Sequence, residues 1–112
     1  NPDAKWRVRP GALEERLGEQ REVLERAARY VRPGGRLAYV TCSLLREENE
    51  DQVAWFLENH DDYLPLEAGH LAREAGAPQL AAQASQLGVG LRLSPAATNT
   101  DGFYIAVLSR SR

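Results

Sequence analysis

The stretch RPGGRLAYVTCSLLREENED, Arg32 through Asp51, decides the fold class. Leu37, Ala38, Tyr39 and Val40 make a short apolar run, the pattern of a strand covered on both faces in an α/β sheet. Pro33, Gly34 and Gly35 punctuate the preceding helix, because Pro does not continue one and Gly accepts a left-handed cap. Thr41, Cys42 and Ser43 then stand where the strand gives way to the next helix. Open α/β sheets carry their chemistry just beyond the carboxyl ends of their strands. The chain's single cysteine lies at such an end, and it reads either as a small core residue or as a nucleophile.

Working outward, Leu13, Leu17, Leu24, Ala28 and Val31 recur at helical spacing and predict an amphipathic helix over 11–31. Gly18 weakens that helix by roughly 1 kcal/mol relative to Ala. The strand is expected over 36–41. A second helix follows and runs to about Asn59, with Val53, Phe56 and Leu57 inward and Ser43 or the turn after it as its cap. Glu47, Glu48 and Glu50 suit the positive end of that helix. Tyr63–Leu66 reads as a short strand. Leu91 with Leu93, and then Phe103 to Leu108, read as the last two strands. Residues 67–90 are rich in Ala, Gln and Gly, and Gly76-Ala77-Pro78 divides them; they predict a surface insertion with short helical turns, the alternative being a lid over substrate.

Composition narrows the classes. One cysteine makes no internal disulfide, which argues against a secreted disulfide scaffold. No apolar run approaches the roughly 18–20 residues of a membrane span, so no membrane partner is expected and a cytoplasmic location is. Net charge is −2, from 14 basic and 16 acidic residues, without the basic surplus common in RNA-binding domains. Thirteen of the 14 basic residues are Arg, which suits bidentate phosphate contacts but equally reflects a GC-rich coding sequence. His60 and His70 are ten residues apart with no second cysteine, so no metal site is expected.

Four ordered segments resemble one family. YVTCSLLREENEDQ is similar to the catalytic motif of the RNA (cytosine-5) methyltransferases of the NOL1/NOP2/Sun class, which includes bacterial 16S rRNA enzymes. NPDAKWR, containing Asp3, Lys5 and Trp6, resembles the segment after that family's Pro-Cys motif; QREVLERAARYVRPGGRL resembles the approach to the catalytic strand; SPAATNTDGFYIAVLSR resembles the closing strand. The resemblance implies an α/β fold: the C-terminal half of a Rossmann-like sheet of a SAM-dependent methyltransferase, its final strand antiparallel. Residues 1–112 are then expected to be the C-terminal portion of a catalytic domain, inactive alone.

The resemblance further implies S-adenosyl-L-methionine as cofactor, with its binding motifs upstream of this chain. It implies RNA as partner, rRNA ahead of tRNA, and Cys42 as the nucleophile that adds to carbon 6 of cytosine. Cytosine carbon 5 is a poor nucleophile, and covalent addition splits the transfer into easier steps. The positive end of the following helix is expected to favour the thiolate. Asp101, Gly102 and Phe103 fall on the family's substrate-side loop, as support or as direct contacts, and Glu48, Asn49 and Glu50 on its acidic helix start, expected to cap the helix and fix the Cys42 turn. Lys5 and Arg7 are candidate phosphate contacts, the more common reading of such an N-terminal run being simple solvation. Thr98 stands where the family often has His, and Arg46 where it often has Pro. The competing reading is a non-catalytic α/β interaction module with Cys42 as packing. The bare edge of the 36–41 strand is expected to make the isolated chain self-associate.

Overall fold

The structure, a computed structural model, describes residues 11–93 and 102–111. Helix α1 spans Ala12–Tyr30, and strand β1 spans Arg36–Thr41. A 3-10 turn at Arg46–Glu48 leads into helix α2, Glu50–Asn59. Strand β2 (Tyr63–Pro65), helix α3 (Ala68–Glu74), a 3-10 segment (Pro78–Gln83), β3 (Leu91–Leu93) and β4 (Phe103–Arg110) complete the order.

Strand β4 is the hub of the sheet. It pairs antiparallel with β1 along one edge, from Arg36↔Ser109 to Thr41↔Tyr104. Its other edge is shared: β2 pairs at Tyr63↔Arg110 and β3 at Leu93↔Phe103, both antiparallel. The final strand is therefore antiparallel to β1, as expected. Serving two edges and two faces explains why β4 reads as a continuous apolar run. Tyr104, Ala106 and Leu108 are fully buried on one face, and Val107 is buried on the other.

Helices α1 and α2 cover the first face. Leu24 and Ala28 of α1 and Val53 and Phe56 of α2 cluster with Leu37, Tyr63, Tyr104, Ala106 and Leu108. The Tyr63 hydroxyl donates to the Ala28 carbonyl at 2.9 Å, so this core tyrosine keeps its polar tip satisfied. Phe56 meets Tyr63 edge-on at 5.0 Å and stacks with His60 at 4.0 Å. Segment 67–90 is tied to the second face: Arg36 of β1 pairs with Glu74 of α3, and Ala72 is fully buried.

Three local expectations are corrected. The Pro33-Gly34-Gly35 group does not cap α1, which ends at Tyr30 with an extended Val31 after it. It forms a β-turn instead: Gly35 N–H donates to the Arg32 carbonyl at 2.8 Å, with Pro33 second and Gly34, at φ +85°, third. That is the type II arrangement, which favours Gly at a positive φ. The turn also extends the sheet, since Gly34 N–H donates to the Arg110 carbonyl at 2.7 Å. Helix α2 begins at Glu50 without a side-chain cap, so neither Ser43 nor Asn49 plays that role. Strand β2 stops at Pro65, one residue short, although Leu66 N–H still donates to the Val107 carbonyl at 2.8 Å.

Among the described residues β1 has no neighbour on its outer edge, and Val40 is 54% exposed. An unpaired apolar edge is a template for another strand. Sedimentation of the isolated chain is expected to show dimers or larger species whose share rises with concentration; a monomer across that range would contradict this. Gly90 is a second constrained point. At φ +107° any Cβ would lie 2.7 Å from the Ile105 carbonyl oxygen and 2.8 Å from the Tyr104 ring. Gly90→Ala is expected to lower stability by roughly 2 kcal/mol, read from urea unfolding.

Candidate active site

The carboxyl end of β1 and the amino end of β4 meet at one end of the sheet. Their last pair is Thr41↔Tyr104. Cys42 and Phe103 are the next residues outward, so the ladder brings two of the sequence-derived candidates to the same place. Cys42 is exposed and unpaired in any disulfide. Gly102 is buried with φ +92°, and Phe103 is half-buried. Asp101 lies outside the described residues, as do Asp3, Lys5, Trp6, Arg7 and Thr98.

The turn carrying Cys42 is held by buried polar side chains. Asn49, fully buried, reaches both neighbours of the cysteine: its Nδ2 donates to the Ser43 carbonyl at 2.8 Å, and its Oδ1 accepts from the Thr41 hydroxyl. Glu48, 4% exposed, accepts from the Ser43 hydroxyl at 3.1 Å. The same hydroxyl accepts from Leu45 N–H at 3.0 Å. The Tyr39 hydroxyl donates to the Glu48 carbonyl at 2.6 Å. Burial first, and then the Glu48 charge, push that tyrosine up to about 12, so it remains a donor at neutral pH.

Two arginines neutralise the buried carboxylates. Arg16 of α1 makes a bidentate pair with Glu48, both bonds 3.0 Å, and Gln20 adds a third donor at 2.9 Å. Arg92 of β3 pairs with Glu50 at 2.6 and 2.7 Å, and the Ser85 hydroxyl also donates to it. A third Arg92 bond, 3.1 Å, goes to the Leu44 carbonyl, inside the cysteine turn. Burial raises the Glu48 and Glu50 carboxyls, but the donors around them outweigh it and hold both below the usual carboxylate range. Among the described residues no buried side-chain nitrogen or oxygen lacks a partner.

The expectation for Glu48, Asn49 and Glu50 is thus half met. They stabilise the turn, yet through side-chain bonds to the turn and its braces rather than as helix caps. A 3-10 turn also separates Cys42 from the start of α2. Gln52 of α2 donates to Gln20 Oε1 at 3.0 Å and so joins the same network; Arg16, Gln20, Gln52, Ser85 and Arg92 were not legible as parts of this site. The available signal was a glutamine beside Val53 on the apolar stripe of α2; Arg92, between Leu91 and Leu93, gave none, and only its register opposite Tyr104 turns it to the core side. His60 bonds Glu25 at 3.2 Å and His70 bonds Glu74 at 2.7 Å, and no cluster suited to a metal ion occurs among the described residues.

Comparison with known proteins settles the family. The model of the 16S rRNA methyltransferase RsmB/F family matches residues 1–109. The chain belongs to that family. It is 35% identical over 111 residues to ribosomal RNA small subunit methyltransferase B of Shewanella oneidensis, and 41% identical over 106 residues to the protein of that name in Sodalis glossinidius. These alignments cover 99% and 95% of this chain but 23% and 21% of the relatives, so the chain spans under a quarter of their length. The crystal structure of PH0851 superposes with a TM-score of 0.76 at 36% identity, over 98% of this chain and 23% of that one. A methyltransferase homolog protein from Pyrococcus horikoshii gives 0.67 at 28% identity, over 91% of this chain and 33% of that one. The fold is accordingly the C-terminal part of a Rossmann-like methyltransferase, with the RsmB/F chain's Cys42 at a strand end.

The charge arrangement of this RsmB/F turn has a pH signature. A carboxyl held low in the folded state contributes stability above its unfolded value and loses it as pH falls through the folded value. Glu48→Gln is expected to cost about 1–3 kcal/mol at neutral pH. The gap to wild type should narrow as pH drops below the ordinary carboxylate value of about 4.3. Urea midpoints of both proteins across that range check it, and a gap independent of pH would contradict it.

Proposed function

We propose that the protein containing this chain methylates carbon 5 of cytosine in RNA, with Cys42 as the covalent nucleophile and rRNA as the substrate class. The observation that carries this reading is the placement of the cysteine. The only thiol of the chain is exposed at the carboxyl end of β1, in a turn whose two neighbouring residues are fastened by buried side chains. A cysteine serving as core filling would be turned inward and need no such brace. The rRNA methyltransferase names of the relatives favour rRNA over tRNA. A cytoplasmic location accords with such a substrate; among the described residues no helix is long and apolar enough to cross a membrane.

The thiolate of Cys42 adds to carbon 6 of the base, forming a carbon–sulfur bond and turning the ring into an enamine whose carbon 5 is electron-rich. S-adenosyl-L-methionine, when bound, supplies an electrophilic methyl group. Once carbon 5 carries the methyl and has lost its proton, the ring re-forms its double bond and expels the thiolate. The base must leave its stack for the thiol to reach carbon 6, which an exposed position at a sheet end permits. Gly102 and Phe103, at that same end, are assigned to substrate support along with Asp101.

The described residues do not fit the cofactor. A nucleotide-type cradle is a glycine turn that follows a strand and opens a helix. Here Gly34 and Gly35 precede β1, Gly88 and Gly90 precede β3, and Gly102 precedes β4. Cofactor contacts are assigned to sequence outside these residues.

The test is covalent capture. The full protein, incubated with cofactor and RNA carrying 5-fluorocytidine, is expected to give a protein–RNA adduct, because fluorine replaces the carbon-5 proton and cannot leave as a cation, so the thiolate is not expelled. Cys42→Ala should abolish the adduct. An adduct unaffected by Cys42→Ala would move the nucleophile to another residue; none on rRNA or tRNA would leave the interaction-module reading; capture on tRNA alone would move the substrate class.

A further inference from the structure

We propose that Asn49 is a positioning residue for Cys42: its buried amide, bonded to Thr41 on one side and Ser43 on the other, fixes where the thiol points. The inference rests on Cys42 being the nucleophile. The geometry is specific to this side chain. One oxygen acceptor and one nitrogen donor are consumed on the residues flanking a single cysteine, at Thr41 Oγ1 and the Ser43 carbonyl. The amide is fully buried at the start of α2, and Val53 N–H donates to the Asn49 carbonyl at 3.1 Å, so the clamp is anchored in a helix. The residue between the clamped positions is the exposed one.

Neither Asp nor Ala reproduces this. Asp retains the acceptor for Thr41 but loses the donor to Ser43 and would bury a charge beside a carbonyl. Ala removes both bonds and frees the backbone on each side of the thiol. Ser43 has a second tether in Glu48 at 3.1 Å, and Leu44 has one in Arg92 at 3.1 Å. Thr41 Oγ1 has a further role as acceptor from Ser43 N–H at 3.3 Å. The turn therefore stays folded when the Asn49 bonds go, while the direction of Cys42 is released. A reacting group moved by about 1 Å loses on the order of 100-fold in rate.

The experiment measures the rate of covalent capture of 5-fluorocytidine RNA by the full protein at varied RNA concentration, with thermal melting of each variant alongside. Asn49→Ala is expected to lower the maximal capture rate about 10- to 100-fold, with half-saturating RNA unchanged. Thr41→Val, which deletes the bond to Asn49 together with the long 3.3 Å bond from Ser43 N–H and changes shape little, should give a smaller loss in the same parameter, and Thr41→Ser, which returns the hydroxyl, should restore most of it. Should Asn49→Ala not fold, the Thr41 pair decides. A maximal rate per folded molecule equal to wild type in Asn49→Ala or Thr41→Val would overturn the proposal, as would a loss confined to half-saturating RNA or to melting temperature. Failure of the underlying reading looks different: the wild type would form no adduct, or Cys42→Ala would keep it.

Discussion

The structure depends on keeping two carboxylates buried beside a turn. Glu48 and Glu50 are 4% and 3% exposed, and an ion removed from water costs several kcal/mol unless it is paired and fully hydrogen-bonded. Each meets that cost with a bidentate arginine from a distant part of the chain, Arg16 from α1 and Arg92 from β3. Neither arginine is a sequence neighbour of its partner. The pairs therefore join the first helix, the cysteine turn and the third strand into one unit, and they exist only when all three are in place. Their worth lies less in net stability than in specificity, since a misplaced helix or strand would leave a bare charge inside.

Strand β4 supplies the apolar counterpart. Because β1 lies on one edge and β2 with β3 on the other, β4 sets the height at which each strand ends. The end of β1 comes level with the start of β4, and the Cys42 turn leaves the sheet beside Phe103. Tyr104, fully buried, adds a polar tether by donating to the Val89 carbonyl at 2.5 Å. Burial foremost raises its ionisation well above the ordinary tyrosine value, so the tether is neutral. Segment 67–90 reaches this framework through Ser85 and the Gly90 approach, and beyond it through Arg92 of β3. It braces the turn from the far side by way of Glu50.

Much of the element order was legible. Strand β1 matched residue for residue because Leu37 to Val40 are apolar between a Pro-Gly-Gly turn and a Thr-Cys-Ser turn, leaving no alternative period. Helix α1 matched to within a residue at each end, since its leucines repeat at helical spacing over 19 residues. The start of α2 was misplaced for a physical reason. Ser43, Glu47 and Glu48 have the composition of a helix start, but a tertiary demand for the Ser43 and Glu48 side chains around Cys42 outweighs the local preference. The same holds for Pro33 to Gly35, which suit a helix cap and a type II turn alike; the Arg110 carbonyl, far along the chain, chooses the turn.

The sequence by itself determined most of the element order, the family, and the position of one cysteine at a strand end, because periodicity, turn chemistry and ordered motifs are properties of neighbouring residues. Only the tertiary structure decided that Asn49 spans both flanks of Cys42, that Arg16 and Arg92 neutralise Glu48 and Glu50, and that Phe103 stands beside the cysteine turn. Each of these joins residues of different elements or across a turn. Burial makes such bonds strong, and burial is set by how the helices and strands pack.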